Sequence, residues 1–280
     1  MKTIKLISLD LDGTLFNNKS IITEKNKQAI KRATDAGISV VISTGRPYSG
    51  LPFEQIEGLG INYAITTNGA GVYEIPSRKE IHTDCISNEI AFPIIDFLLT
   101  KQVHMDAFIG GDAISPAKCL DTAKRLNVPD SIKEYIIDSR TRVDDVKAYM
   151  LEHNTPLQKM TINFQTDENG VLIDREEIRQ YLCSNPDINV VCGGYNNLEF
   201  TRAGVDKGQG LIHLADHLGI PVEQTMAVGD TENDLEILKA AGISVAMGNA
   251  IDEIKKNADY ITLSNEEDGV AYAINHFIPF

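Results

Sequence analysis

The sequence predicts an α/β protein: a doubly wound, Rossmann-like core with a parallel sheet, interrupted by an inserted α+β domain. Three observations carry this reading. Short apolar, β-branched runs alternate with amphipathic helical segments over residues 1–83, and the same alternation resumes over residues 203–280. Residues 84–202 instead pair amphipathic helices with runs in which polar and apolar residues partly alternate, as antiparallel strands require. Alternating buried strands and helices mean a parallel sheet covered on both faces, so the two ends read as halves of one core and the middle as an insertion.

Taken in order, IKLISLDL opens the chain as a buried strand. ITEKNKQAIKRATDAG follows as a helix, with Thr23 as N-cap, Ile30 and Ala33 at helical spacing and Gly37 as its stop. ISVVISTG is the second strand, and INYAITTNGAGVYEI the third, running into a hairpin at Asn68–Gly71. Within the insertion, SNEIAFPIIDFLLTKQ and TRVDDVKAYMLEHN read as helices, and KEYIIDS, KMTINFQ, INVVCGG and NNLEFTR as strands. The closing segment reads as helix DKGQGLIHLADHLG, strand TMAVGD, helix ENDLEILKAAG, strand SVAMGN, helix AIDEIKKNA and strand YITL.

Composition narrows the function. A net charge of −14 and a pI near 4.8 argue against nucleic-acid binding, which draws its affinity from Lys and Arg neutralising phosphates. A small phosphorylated molecule remains possible where a cation is supplied locally. Cys85, Cys119, Cys183 and Cys192 have no CxxC spacing, so buried free thiols in a reducing compartment are expected. No run is long enough to span a membrane, and the first apolar run is short for a signal peptide and broken by two aspartates. The expectation is a soluble cytoplasmic protein without membrane partners, monomeric or a weak homodimer.

Open α/β sheets bind ligands at the carboxyl ends of their strands. The first strand delivers Asp10 and Asp12 there, on one side by strand periodicity, with Gly13 free to turn sharply. The second brings Ser43, Thr44, Gly45 and Arg46, whose hydroxyls, amide and guanidinium suit phosphate. The third ends near Asn68 and Gly69; Lys207 opens a later helix; Asp230 ends a strand, with Asn233 and Asp234 just beyond it. Four carboxylates can share a pocket only if a metal offsets their repulsion, and an all-oxygen donor set beside a phosphate favours Mg2+. His213 and His217, four apart on a helix, have zinc-site spacing but lack the glutamate of the corresponding motif, so packing is expected. GGYNN at 193–197 lacks the strand-to-helix context of a dinucleotide loop.

The ordered set DLDGT, STGR, Lys207 and GDTEND resembles the four motifs of the haloacid dehalogenase superfamily of phosphatases. ISTGRP, TNGA, DKGQGL, VGDTENDLEIL and AMGNA are similar to its Cof-type sugar-phosphatase subgroup, and the insertion resembles a C2-type (IIB) cap that sets substrate specificity. Ser43 departs from the subgroup's usual Ala, while the motif hydroxyl, Thr44, is present. The resemblance implies a Mg2+-dependent phosphomonoester hydrolase of small metabolites, chiefly sugar phosphates. Asp10 would be the nucleophile that forms an aspartyl-phosphate, and Asp12 the acid and then base, crowded by other carboxylates so as to hold a proton. Thr44 and Lys207 complete the implied catalytic set. Leu11, Thr44, Gly45, Arg46, Asn68, Lys207 and Asn233 are the implied substrate- and phosphate-binding positions, with Arg46 and Asn68 turned toward the leaving group. Asp10, Asp12, Asp230 and Asp234 are the implied metal positions, Asp12 through its carbonyl and Asp234 through water or by orienting Lys207. In the insertion, Lys159 and Glu199 are weak specificity candidates. A phosphosugar mutase is a close alternative, and a phosphoaspartate signalling module one of another class, disfavoured by Asp12 and by the cap.

Overall fold

The computed structural model describes residues 3–193 and 196–278, so Gly194 and Tyr195 of the GGYNN stretch lie outside the described residues. The chain divides into two compact units, Met1–Thr83 with Asp206–Phe280, and Asp84–Val205. The division assigns residues 203–205 to the inserted unit.

The N-terminal segment contains β1 (Leu6–Leu9), α1 (Glu24–Asp35), β2 (Ser39–Ser43), α2 (Phe53–Ile56), β3 (Tyr63–Thr66), β4 (Gly71–Glu74) and β5 (Glu80–Thr83). Leu6, Ile7 and Leu9 are fully buried, as a central strand covered on both faces requires. Helix α1 starts where the Thr23 side chain accepts a hydrogen bond from the Asn26 amide (3.2 Å), and Gly37, at φ +82°, ends it. Its Ala29, Ile30 and Ala33 face the core.

The inserted unit runs α3 (Asn88–Leu98), β6 (Val103–Ile109), β7 (Asp112–Pro116), α4 (Leu120–Lys124), α5 (Asp130–Asp138), β8 (Thr141–Val143), α6 (Val146–Glu152), β9 (Leu157–Phe164), α7 (Arg175–Cys183), β10 (Ile188–Cys192) and β11 (Leu198–Arg202). Its six strands are ordered β10-β11-β9-β6-β7-β8, antiparallel except for the parallel β7–β8 pair. Met105, Ala107, Met160 and Ile162 form a core with Ile94, Ile95, Met150, Ile178 and Leu182 from α3, α6 and α7. The alternate residues His104, Asp106, Lys159, Thr161 and Asn163 are buried too, though polar.

Three expectations within this unit are corrected. KEYIIDS is part of helix α5: Ile132 and Ile136, four apart, pack with Ala123 and Leu126 in a satellite core, so a helical stripe wins over β propensity. Thr141–Val143 is strand β8 rather than the head of a helix, which begins only after Asp145 caps the amides of Lys147 and Ala148. Strands β6 and β7 were not anticipated, because His104 and Asp106 interrupt the apolar signal of what proves to be a central strand.

The returning segment supplies α8 (Lys207–His217), β12 (Thr225–Gly229), α9 (Leu235–Ala240), β13 (Ile243–Ala246), α10 (Asp252–Asn257), β14 (Tyr260–Ile261) and α11 (Gly269–Phe277). The core sheet has eight strands ordered β14-β13-β12-β1-β2-β3-β4-β5, parallel from β14 to β3, with antiparallel pairing at β3–β4 and β4–β5. The order reverses at β1, where β2 lies on one side and β12 on the other. That is the switch point at which such sheets open a crevice at their carboxyl ends. Among the described residues no helix is long and apolar enough to cross a membrane. Cys119 is buried, Cys85 and Cys192 are partly buried and Cys183 is exposed, so burial does not extend to all four thiols.

Candidate active site at the switch point

Asp10 is the first residue beyond β1, held there by its amide, which donates to the Val228 carbonyl of β12 (3.1 Å). The chain then turns tightly: the Leu15 amide donates to the Asp10 carbonyl (3.1 Å) and the Phe16 amide to that of Leu11 (2.8 Å). Gly13 makes this turn possible at φ +86°, and a Cβ on it would lie 2.4 Å from Asp230 Oδ2. The positive φ disfavours any side chain there, and a Cβ would also displace the Asp230 carboxylate.

Lys207 opens α8, directly after Asp206 caps the helix by accepting from the Gln209 amide (2.9 Å). Its side chain is fully buried, and Nζ donates to Asp10 Oδ1 at 2.8 Å and Asp234 Oδ1 at 2.6 Å. The other Asp234 oxygen accepts the amides of Asp230 (3.0 Å) and Thr231 (3.2 Å), fixing the turn between β12 and α9. Asp230 Oδ1 accepts from the Thr14 hydroxyl (3.0 Å). Lys207 thus faces two carboxylates in a dry setting, instead of presenting an open cationic surface to an anion.

The electrostatics follow from three buried carboxylates around one ammonium. Burial drives the Asp10 carboxyl well above the ordinary carboxylate range; Lys207 opposes this, and Asp234 and Asp230 add to it. Asp230 is pushed up to about 7 by burial and by Asp234, against the Thr14 hydrogen bond and Lys207. Burial disfavours the Lys207 charge, but Asp10 and Asp234 outweigh it and hold the proton above the usual lysine range.

Asp12 corrects one expectation. Its side chain does not join the other carboxylates, and its neighbour is a guanidinium: Oδ1 lies 2.7 Å from Arg46 Nη2 and Oδ2 2.8 Å from Arg46 Nε. Arg46 is correspondingly turned to Asp12, with its guanidinium over the Phe16 ring (5.2 Å to the centroid). Strand periodicity failed here because β1 ends at Leu9 and the two aspartates sit on a turn.

The other anticipated positions lie around the same rim. Thr44 is buried, and its Oγ1 accepts the Arg46 amide (3.2 Å), which places Gly45 within that turn. Asn68, in the left-handed region at φ 55°, accepts from Asn233 Nδ2 through Oδ1 (3.2 Å). Leu11 is buried in the core, so only its backbone can serve a ligand. His213 stacks on His82 (3.7 Å between centroids) while His217 meets the edge of Tyr63 (6.4 Å), so the histidine pair has separate packing roles. Lys159 and Glu199 form an ion pair within the inserted unit (2.7 Å), with Lys159 Nζ 5.0 Å from the Phe108 ring centroid.

Two supporting residues, Thr14 of DLDGT and Asn249 of AMGNA, lie outside the expected site set. Thr14 orients Asp230, and Asn249 donates to the Gly13 carbonyl (2.8 Å) while accepting the Asn265 amide (3.0 Å). Their signal was the presence of hydrogen-bonding side chains beside an essential glycine turn.

A divalent cation fits this set. Asp10, Asp230 and Asp234 each bring a carboxylate oxygen within 4.8 Å of the others, and one lysine leaves two formal negative charges uncompensated. Among the described residues, Oδ2 of Asp10 and of Asp230 accept no hydrogen bond, whereas both Asp234 oxygens are committed. Direct ligation would therefore fall to Asp10 and Asp230.

The chain as a whole has counterparts among known proteins. Residues 7–274 match the family of haloacid dehalogenase-like hydrolases, and the chain belongs to that family. Its enzyme class is phosphatase. The chain is 31% identical over 98% of its length to a 5-amino-6-(5-phospho-D-ribitylamino)uracil phosphatase, YcsE, of Bacillus subtilis, covering 96% of that protein. Among solved structures it is similar to a haloacid dehalogenase-like hydrolase from B. subtilis (TM-score 0.83, 31% identity, 98% of this chain and 100% of that one). It is also similar to the HAD subclass IIB sugar phosphatase BT4131 (TM-score 0.79, 26% identity, 98% of each chain).

Proposed function

We propose that the protein is a Mg2+-dependent phosphomonoesterase of small phosphorylated metabolites, with sugar or polyol phosphates as the substrate class, acting through an aspartyl-phosphate. The observation that carries this is the Lys207 ammonium bridging Asp10 and Asp234 beside Asp230, at the switch point of a parallel sheet. The substrate class is supported by the names of the similar proteins, a phosphatase of a ribityl phosphate and a sugar phosphatase.

Asp10 attacks phosphorus with a carboxylate oxygen; the ester P–O bond breaks, and the departing oxygen takes a proton from Asp12. Asp12 then takes a proton from water as that water attacks phosphorus, and the bond to Asp10 breaks with its electron pair returning to the carboxylate. Lys207 holds Asp10 in the attacking orientation, and its charge together with the Thr44 hydroxyl and the Gly45 and Leu11 amides stabilises the transferring oxygens. Asn233 and Asn68, already hydrogen-bonded to each other, wall the same rim. Mg2+ held by Asp10, Asp230 and the Asp12 carbonyl would supply charge neutralisation for the phosphoryl group, with Asp234 setting the lysine. The inserted unit would select the leaving group.

Phosphate release from a panel of sugar, polyol and nucleoside phosphates, with Mg2+ and with EDTA, tests the reading. Turnover that needs Mg2+ and disappears in Asp10→Asn is expected; turnover retained by that variant would overturn the role given to Asp10.

A further inference from the structure

Asp12 has a side chain 52% exposed, so packing does not fix it, and among the described residues its carboxylate has no hydrogen-bond partner other than Arg46. Arg46 is fixed from several sides. Its side chain is 16% exposed, and the guanidinium lies over Phe16 and extends Nη1 to the Gly50 carbonyl (3.4 Å). Its amide donates to Thr44 Oγ1 (3.2 Å), and its carbonyl accepts the Thr67 amide (2.9 Å). A half-exposed carboxylate is therefore held in both oxygens by the planar fork of a braced arginine, a match that lysine does not reproduce.

We propose that Arg46 is the positioning residue for Asp12: it fixes the rotamer from which Asp12 exchanges its proton, and it does so without contacting the substrate. The proposal rests on the reading of Asp10 as nucleophile and Asp12 as proton carrier. Without Arg46 the Asp12 side chain samples several staggered rotamers, and a misplaced proton carrier costs on the order of 100-fold in rate.

The two half-reactions separate this role from a structural one. With p-nitrophenyl phosphate the leaving phenolate needs no proton, so formation of the Asp10 phosphoryl bond proceeds without Asp12. Breaking that bond still requires Asp12 to accept a proton from water. Arg46→Ala then accumulates phosphorylated Asp10: a rapid release of about one equivalent of p-nitrophenolate per enzyme, followed by turnover roughly 10- to 100-fold slower than the parent. With an alkyl phosphate, such as a hexose 6-phosphate, both steps slow and the burst is absent.

Stopped-flow measurement on wild type, Arg46→Ala, Arg46→Lys and Asp12→Asn, each with Mg2+ and p-nitrophenyl phosphate, decides the matter. A burst in Arg46→Ala and in Asp12→Asn, with Arg46→Lys keeping a burst because its ammonium lacks the fork, supports the proposal. A raised KM in the arginine variants without a burst, while Asp12→Asn shows one, would make Arg46 a substrate contact and overturn it. Absence of the burst from Asp12→Asn as well would remove the role of Asp12 on which the proposal stands, and absence of wild-type turnover would remove the function itself. Should Arg46→Ala fail to fold, Arg46→Lys carries the same comparison.

Discussion

The ammonium of Lys207 and the carboxylate of Asp234 meet at 2.6 Å with both side chains almost completely removed from solvent. Because Asp234 also accepts two backbone amides, it is at once the partner of the lysine and the clasp of the turn that carries Asp230. Asp234→Ala removes both contacts and leaves a buried cation and two amides with fewer partners, a loss of about 3–5 kcal/mol in urea unfolding with EDTA present. Asp234→Asn keeps the shape and is expected to lose less than half of that. Stability unchanged in Asp234→Ala would contradict the buried pairing.

Asp230 predicts how the metal-free protein responds to pH. Its carboxyl is raised from 3.8 to about 7, so between these values the folded state holds a proton that the unfolded chain has released. The sign follows: this group's contribution is fully present below about pH 4, is lost steadily as pH rises, and levels off above about 7. In EDTA, wild type should therefore fall in stability relative to Asp230→Asn between pH 4.5 and 7. Added Mg2+ should raise Tm more at pH 8 than at pH 5.5, because at the lower pH a proton must first be displaced. Equal Mg2+ shifts at the two values would argue against Asp230 as a ligand.

Two glycines at positive φ separate conformational cost from crowding. At Gly69 (φ +96°) a Cβ would lie 1.9 Å from the Asp206 carbonyl oxygen, at the start of the helix that carries Lys207; at Gly219 (φ +64°) it would meet nothing within 4 Å. Gly219→Ala should cost about 1–2 kcal/mol, the ordinary price of a left-handed residue. Gly69→Ala should cost more and should also reduce turnover at least 10-fold, because displacing Asp206 moves Lys207 from Asp10. Parallel thermal unfolding and phosphate-release assays check both, and equal effects on turnover would separate Gly69 from the site.

The core and most of its rim were legible because each strand announces itself by a buried β-branched run and then ends in a short polar motif. Asp10, Thr44, Asn68 and Asp230 fall at or just beyond such ends, while Lys207 opens a helix and Asp234 stands at the start of another. The pairing of Asp12 with Arg46 was not legible, since the two are 34 residues apart and only the packing of neighbouring parallel strands brings them together. The inserted unit was harder for a different reason. Its central strand β6 alternates apolar residues with His104 and Asp106, buried against Arg142 and Arg140 respectively, so a buried strand imitates a half-exposed one. Helix α5 was lost to its own β-branched residues, which favour a strand locally while their spacing of four favours a helix packed on Leu126.

That buried network predicts a pH effect of opposite sign to that of Asp230. His104 is faced by Ser115 Oγ (3.2 Å), Asn163 Nδ2 (3.3 Å), Arg142 Nη1 (3.4 Å) and Asp106 Oδ1 (3.5 Å). Burial holds its imidazole below the usual range; Asp106 opposes this, and Arg140 and Arg142 add to it. A depressed histidine is neutral in the fold while the unfolded chain takes up a proton near pH 6.5, so stability is lost as pH falls below that value. His104→Gln keeps an amide donor and acceptor but cannot titrate. Wild type should therefore lose stability relative to this variant between about pH 6.5 and 5, measured by urea unfolding with saturating Mg2+, and the two curves should run parallel above pH 7.5. A gap that widens with rising pH would mean that His104 is charged in the fold and paired chiefly with Asp106.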